Sequence, residues 1–405
     1  MFFDPEFLPS ILIITSFLLV CTYVYRDKKI DYKILLIVGF LVRIFLMYCD
    51  YYDIFIVFGS GMDTERFHAA SLYNMYATEE WKITNYTTFL KPIYILSNGS
   101  RLIAQYVNVL FGFFTIIITL HILQNFRLDK KTTLFTTILL TLLPNQCCFS
   151  AILLREAWII FFVTLSLMMF VKWFLYGNQT AAIMSVVAVF VASYMHSGVI
   201  LVLAGYIVAF ITYSPRTKRV IFNAKGIILL VIMGIVIVAG SSYLGIFTEK
   251  FSKLEDVDDF IQITNMVSEG GSAYLQWIRT DSVFQSILFS PIKMIYFLFS
   301  PLPADWRGMT DIVAFMLDGI VYLILVYHIM RNMIKRRDNP LKTYIAISVL
   351  FTVFTFAYGT YNSGTAMRHR SKIFPIIIVL YAIVQKENAD NKQLRILSLN
   401  NNKFA

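Results

Sequence analysis

Long apolar stretches recur along this chain of 405 residues and constrain its fold more than any other feature. Several reach the roughly 18 residues that a helix needs to cross the hydrocarbon core of a bilayer. They are continuous, whereas the strands of a membrane barrel alternate apolar and polar residues. Charged residues make up only 15% of the chain, against about 25% in soluble proteins. The sequence therefore predicts an all-α, polytopic membrane protein, with residues 1–405 forming a single integral membrane domain.

The basic residues give the direction of these helices across the membrane. The net charge of +10 by itself is also compatible with nucleic-acid binding. In a membrane protein, however, Lys and Arg concentrate in short loops on the cytoplasmic side. With segments such as 26–33, 127–131 and 331–342 placed inside, the predicted cytoplasmic segments hold 21 of the 35 Lys and Arg residues. We therefore expect no nucleic-acid partner, an outer N-terminus and a cytoplasmic C-terminus.

This orientation predicts about eleven membrane spans, with two long loops on the outer side. The outer loops cover residues 49–100 and 245–311, and residues 385–405 form a cytoplasmic tail. Within the second loop, the apolar segment 286–303 is an exception, because a span there would place the basic cluster 331–337 outside. The segment also contains three prolines and a lysine. We expect it to be re-entrant or to lie in the outer interface.

Polar residues that break the charge rule collect at the outer ends of the predicted helices. Asp63 and Glu65 in the first outer loop are the candidate catalytic residues, and the sequence leaves open which of them acts. The candidate substrate-binding residues come from separate outer segments: Arg66, His68, Arg155, His196, Arg279, Arg307, Arg368 and Arg370. Ionisable residues gathered at one depth of a membrane protein indicate a functional site.

Each of these residues also has a structural interpretation. Arg155 could form a local ion pair with its neighbour Glu156, and His196 could cap a turn. The charged residues of the first loop could simply be solvated. Basic side chains near residues 368–372, Lys372 above all, could extend toward lipid phosphates. No residue decides alone, and the gathering of separate segments at one depth favours a site.

Clustered arginines at a membrane interface fit a phosphate or pyrophosphate ligand, because a guanidinium group can bind two oxygens at once. A nearby carboxylate can deprotonate an attacking hydroxyl group, and a lipid pyrophosphate leaves readily once its charge is stabilised. This combination predicts glycosyl transfer from a polyprenyl-linked donor on the outer face. We further expect an extended outer turn within residues 359–375. There Arg368 and Arg370 would point the same way and clamp the pyrophosphate.

Several segments resemble known membrane enzymes. The run LLREAWIIFFVTLSLMMFVKW, followed by FVASYMHSGVILVLAGY, resembles the core of bacterial surface-polysaccharide polymerases of the EpsG-like and Wzy type. The segment GMDTERFHAASLY is similar to the acidic first outer loop of GT-C glycosyltransferases. The resemblance implies a GT-C-like layout in which Asp63 is the acid or base, and Arg155, His196, Arg368 and Arg370 contact the lipid-linked substrate. GT-C loops often carry paired acidic residues, which here are separated as D-T-E.

Other functions compete with a polymerase. A GT-C transferase that moves one sugar from a polyprenyl phosphate donor shares the face, the lipid and the chemistry, so the sequence separates the two poorly. A transporter or flippase would carry charges near the bilayer midplane, where only Arg43 is expected. A membrane O-acyltransferase would need catalytic residues reachable from the cytoplasm, and the predicted topology does not offer them.

The expected environment follows from this chemistry. The protein would lie in the bacterial inner (cytoplasmic) membrane, with a polyprenyl-linked sugar, membrane lipid and polysaccharide assembly proteins as partners. We expect no cofactor, because the five histidines and four cysteines show no metal-binding spacing. A divalent cation at the acidic outer loop is an open alternative.

Overall fold

The computed structural model describes residues 7–27, 31–77, 81, 83–221, 272–278, 283–335 and 339–401. The helices among them are α1 (Phe7–Arg26), α2 (Lys33–Tyr51), α3 (Met62–Tyr76), α4 (Tyr86–Leu96), α5 (Arg101–Gln124), α6 (Lys130–Leu142), α7 (Pro144–Ala151), α8 (Glu156–Tyr176), α9 (Gln179–Met195), α10 (Leu203–Thr212), α11 (Val283–Phe299), α12 (Met309–Lys335), α13 (Pro340–Tyr358), α14 (Ser363–Ser371) and α15 (Phe374–Asn401). Within the described residues, strands are confined to the antiparallel pair β1 (Tyr213–Ser214) and β2 (Arg219–Val220).

Seven helices are long and apolar enough to cross a membrane, where α6 and α7 count as one. Three shorter apolar helices accompany them, at Gln179–Met195, Ser197–Thr212 and Ile287–Phe299. Many large apolar side chains point outward, as Leu18 and Leu19 of α1 do, because lipid is as apolar a neighbour as the protein interior. The chain is therefore an all-α, multi-pass membrane protein.

The count of eleven spans and the GT-C-like layout stay predictions. One predicted span, residues 226–244, lies outside the described residues, as does most of the second outer loop before α11.

The first predicted outer loop, residues 49–100, contains two helices, α3 and α4. Gly61 precedes α3 with a φ of 149°, a backbone conformation that favours glycine. Its N–H donates to Thr64 Oγ1 at 3.2 Å. The ring of Phe67 packs edge-on against Tyr86 of α4, with centroids 5.2 Å apart. The start of α3 is thus fixed by its own cap and by packing against α4.

The eleven-span prediction places an outer turn at the segment PNQCC, after its fourth span, and this turn is wrong because these residues begin α7. Pro144 fits the first turn of α7, where no backbone N–H needs an intrahelical partner. The break between α6 and α7 leaves carbonyl groups at the end of α6 without intrahelical partners. Arg43 of α2 donates hydrogen bonds to two of them. Its Nη1 donates to Thr141 O at 2.7 Å and its Nη2 to Leu140 O at 3.3 Å. The cavity beside Arg43 has only about 20 Å³, so this mid-helix charge serves the fold.

The predicted re-entrant or interfacial segment 286–303 begins as part of α11. Two residues of α11, one turn apart, contact the last turn of α13. Lys293 Nζ lies 5.1 Å from the ring centroid of Tyr358, and the rings of Phe297 and Phe356 are stacked with centroids 6.0 Å apart. α11 therefore packs against the C-terminal end of α13. Its position in the membrane stays a prediction.

A buried polar network joins α12, α13 and α15 near the other end of α13. Lys342 Nζ donates to Asn332 Oδ1 at 2.7 Å and to Glu387 Oε2 at 2.6 Å. Asn332 Nδ2 in turn donates to Asn388 Oδ1 at 3.0 Å. The predicted cytoplasmic tail 385–405 is thus the continuation of α15 as far as Asn401.

Candidate functional site

The segment that contains Arg368 and Arg370 is the short helix α14, and the predicted extended turn is wrong. Asn362 caps the helix by accepting a hydrogen bond from the N–H of Thr365 at 2.7 Å. Successive residues of an α-helix are about 100° apart around the axis, so Arg368 and Arg370 project to opposite sides. The predicted clamp of two parallel arginines is therefore wrong as well.

Arg368 lies between two carboxylates from distant parts of the chain. Its Nη1 donates to Asp63 Oδ2 at 2.7 Å. Its Nη2 and Nε donate to Glu156 Oε1 at 3.1 and 3.3 Å. Lys372 Nζ lies 3.5 Å from the same oxygen, and Arg155 interacts electrostatically with Glu156 and Arg368. We call these five residues, Asp63, Arg155, Glu156, Arg368 and Lys372, the Arg368 cluster.

The Arg368 cluster runs from the protein surface into the interior. The side chains of Asp63 and Arg368 are 49% and 22% exposed, whereas those of Glu156 and Lys372 are 0% exposed. Burial lowers the pKa of Lys372 to about 7; Glu156 opposes this shift and the neighbouring arginines add to it. With Lys372 protonated, three basic groups face two carboxylates. The cluster then has a positive excess that suits an anionic ligand.

Asn108 of α5 positions the start of α8, where Glu156 lies. Its Nδ2 donates to the carbonyl oxygens of Ile152 at 2.7 Å and Leu154 at 2.9 Å. Its Oδ1 accepts from Trp158 Nε1 at 2.8 Å. A single buried amide thus binds the chain on both sides of Glu156 and orders the buried end of the cluster.

His196 and His369 meet beside the Arg368 cluster. Their rings are edge to face with centroids 4.8 Å apart, and Phe356 packs against both of them. His369 Nδ1 lies 3.2 Å from Thr360 Oγ1. Burial, together with the positive charge of Lys372, lowers the pKa of His369 well below its usual value. The His369 ring is therefore neutral at pH 7.

Arg370 has a partner of its own on the opposite face of α14. Its Nε donates to Asp318 Oδ2 at 2.6 Å, and its Nη1 donates to the carbonyl oxygens of Phe297 and Leu298 at 3.2 and 3.1 Å. The guanidinium lies over the ring of Tyr322, 5.2 Å from its centroid. The Arg370 side chain is 0% exposed, so it links α14 to α11 and α12 and presents no surface to a substrate.

Glu65 and His68 make contacts away from the Arg368 cluster. Glu65 Oε1 lies 2.8 Å from Nη1 of Arg101, the first residue of α5. His68 Nδ1 lies 2.7 Å from the hydroxyl of Tyr94 in α4, and burial lowers the pKa of His68. These contacts tie α3 to its neighbouring helices. Of the two candidate catalytic acids, Asp63 is the one that joins the cluster.

The remaining predicted binding residues are placed elsewhere or are not described. Arg66 is exposed on α3. Arg307 is exposed and binds Asp311 through its Nε and Nη2 at 2.8 and 2.7 Å. Arg279 lies outside the described residues. Within the described part of the chain, no three His, Cys, Asp or Glu side chains form a group that could hold a metal ion, and the divalent cation stays a prediction.

Sequence reasoning missed four buried polar residues that build the site. From the sequence, Glu156 could be a local partner of Arg155 and Lys372 could be a lipid anchor, whereas both side chains are fully buried. Asn108 and Asp318 have a signal in the sequence. Each is a polar residue inside an apolar helix, Asn108 in QYVNVLF and Asp318 in AFMLDGIVY. A polar group at such a position needs a partner within the protein.

Comparisons of the chain with protein-family models, with curated proteins and with solved structures found no match.

Proposed function

We propose that this protein is a membrane glycosyltransferase of the polysaccharide polymerase type. It would join polyprenyl-linked oligosaccharide repeat units into O-antigen, capsule or exopolysaccharide. The observation that carries the proposal is the convergence of Asp63 and Glu156 on Arg368, over sequence separations of 305 and 212 residues. Charged groups are costly to place among membrane helices, and where they gather they typically mark a substrate site.

In this proposal the basic residues of the Arg368 cluster bind the pyrophosphate of the donor. Arg368 is partly exposed, with a planar guanidinium that matches phosphate oxygens. Lys372 and Arg155 add positive charge behind it. Glu156 is fully buried and accepts two N–H groups of Arg368. It therefore holds the arginine in place.

Asp63 is the proposed general base. The acceptor hydroxyl attacks the anomeric carbon of the donor sugar, and a new glycosidic carbon–oxygen bond forms. The bond from that carbon to the pyrophosphate breaks, and the lipid pyrophosphate leaves with the electron pair. The proton of the hydroxyl passes to the carboxylate of Asp63, which is 49% exposed and can reach an incoming sugar. The leaving charge is stabilised by the arginines.

The proposal places the Arg368 cluster on the outer face of a bacterial inner membrane. The basic residues near Lys342 lie at the opposite end of α13 from α14, and the positive-inside rule puts that end in the cytoplasm. The N-terminus is then outside and the C-terminus cytoplasmic. The partners are the lipid-linked sugar, membrane lipid and the proteins of polysaccharide assembly.

A deletion strain tests this function against the single-sugar alternative. Surface polysaccharide from the strain is separated on a gel, with and without the restored wild-type gene. We expect the ladder of chain lengths to collapse to a single capped repeat unit. A full-length ladder that lacks one side sugar would instead identify a transferase using a polyprenyl phosphate donor, and an unchanged polysaccharide would refute both.

A further inference from the structure

The two carboxylates that bind Arg368 are held very differently. Glu156 is 0% exposed and is shared with Lys372, so its departure would leave buried charges without a partner. Asp63 is 49% exposed and meets Arg368 through a single contact, to Nη1. An exposed ion pair is weak because water replaces either partner at little cost. Asp63 is therefore the partner that Arg368 can exchange.

Buried atoms behind Arg368 have unused hydrogen-bonding capacity. Among the described residues, the buried N–H of Arg155 Nε has no acceptor, and the buried Glu156 Oε2 has no donor. Buried polar atoms are normally satisfied, so the N–H of Arg155 Nε marks a place where an acceptor group completes the network. With Lys372 protonated, the basic residues of the cluster outnumber its carboxylates, and the acceptor that fits beside Arg155 is an anion.

We propose that Asp63 occupies, in the ligand-free protein, the position on Arg368 that a phosphate oxygen of the substrate takes during the reaction. This inference rests on the proposed function and adds to it a binding site and an exchange. A pyrophosphate group binds Nη1 of Arg368, with Arg155 and Lys372 behind it, and Asp63 is released toward solvent. A pyrophosphate carries more negative charge than one carboxylate, and it offers the paired oxygens that a guanidinium binds best.

The exchange frees the engaged oxygen of the base when the donor binds. The Oδ2 of Asp63 accepts a hydrogen bond from Arg368 at 2.7 Å, and an oxygen so engaged is not free to take a proton from a hydroxyl. Binding of the pyrophosphate releases this oxygen at the exposed side of the cluster. The donor thus prepares the group that activates the acceptor.

Binding of pyrophosphate to the purified full-length protein in nanodiscs tests this exchange. The probes are inorganic pyrophosphate, a polyprenyl pyrophosphate and phosphatidylglycerol, each added to nanodiscs of phosphatidylcholine. Asp63→Asn removes the competing carboxylate, so we expect its Kd for a pyrophosphate probe to fall about two- to fivefold, the factor that fits loss of an exposed ion pair. Glu65→Gln makes the same change of charge two residues away, beside Arg101, and its Kd should stay close to that of the wild type.

The three probes distinguish the sources of the phosphate. If Asp63→Asn binds both pyrophosphate probes more tightly, the exchange is supported and the phosphate groups alone determine binding. If Asp63→Asn binds only the polyprenyl pyrophosphate more tightly, the exchange is supported and the ligand must be lipid-linked. Unchanged or weaker binding in Asp63→Asn, a response to phosphatidylglycerol only, or no binding by the wild type overturns the exchange. If Asp63→Asn binds more tightly and the wild type transfers no sugar, the proposed function fails and the exchange stands.

Discussion

Exposure, more than charge, separates the roles of the ionic residues on α14. Arg370 is 0% exposed and its partner Asp318 is 5% exposed, so this pair fixes the position of the helix. Arg368 is 22% exposed and one of its partners is half in solvent, so this arginine can take part in chemistry. The two residues are close in sequence and differ in role because a helix turns them to opposite sides.

Glu156→Gln is expected to destabilise the protein strongly, because it leaves Arg368 and Lys372 without their buried carboxylate. Removing one partner of a buried ion pair costs about 3–5 kcal/mol. Asp63→Asn removes the exposed partner of the same arginine and is expected to cost at most about 1 kcal/mol. Thermal unfolding of both variants in one detergent measures the difference, and equal unfolding temperatures would contradict this account.

Arg368→Lys is expected to accumulate in the membrane and to lose most transferase activity. A lysine offers a point charge where the arginine donates three N–H groups to two carboxylates. Arg370→Lys is expected instead to lower accumulation, because Asp318 and two carbonyl oxygens lose their shared donor. Both quantities are measured on the same membranes. An Arg370→Lys protein that accumulates fully but is inactive would contradict this structural role and indicate that Arg370 contacts the substrate.

The sequence predicted part of the Arg368 cluster as a group, and the roles of its residues stay predictions. Asp63, Arg155 and Arg368 come together as their common predicted depth indicates. The sequence could not pair Arg368 with Glu156 or Arg370 with Asp318, because these contacts depend on how distant helices pack. It also could not choose between Asp63 and Glu65. That choice depends on the α3 surface, from which Glu65 reaches Arg101.

At the scale of the elements, the site is built from the ends of helices. The apolar run 102–123 predicts a span that agrees closely with α5, since this run is long and has clear ends. The sequence does not reveal α14, because this helix is polar on all sides and depends on tertiary contacts. The side-chain cap of Asn362 is the one local feature that marks its start. The break between α6 and α7 agrees with the predicted end of a helix before Pro144, whereas the residues that follow it form a helix and not a turn.

Asn108→Ala is expected to loosen the start of α8 and to lower activity through Glu156. The change leaves the carbonyl groups of Ile152 and Leu154 without their donor, and each unsatisfied buried group costs about 1–3 kcal/mol. Amide hydrogen exchange across residues 152–160 should become faster. Asn125→Ala, at the exposed end of α5, is the control and should leave this exchange unchanged. Wild-type exchange in Asn108→Ala would show that the amide does not order this segment.

At the scale of the whole molecule, composition and apolar length were sufficient to predict an all-α membrane protein, because the bilayer admits few other solutions. The number of spans depends on where each short helix lies relative to the bilayer. For α11, the prediction that it does not cross the membrane rests on the distribution of Lys and Arg residues more than on hydropathy. The predicted orientation of the whole chain rests on the same distribution of basic residues.

Labelling of single cysteines tests the predicted orientation. In a background without the four native cysteines, Ala304→Cys lies in an exposed position before α12, and Lys335→Cys lies in an exposed position at its end. A membrane-impermeant maleimide should label position 304 in intact cells and position 335 only after the membrane is opened. Labelling of position 335 in intact cells would reverse the orientation and remove the Arg368 cluster from the outer face.

The most direct test of the central claim is the rate of sugar transfer by Asp63→Asn. Purified wild-type, Asp63→Asn and Glu65→Gln proteins are supplied with a polyprenyl-pyrophosphate-linked oligosaccharide, and the formation of longer chains is followed. The account predicts that Asp63→Asn loses roughly 10²- to 10⁴-fold in rate, the usual contribution of a positioned general base. Glu65→Gln should stay within a few-fold of the wild type. Chain formation by Asp63→Asn at the wild-type rate would contradict the account.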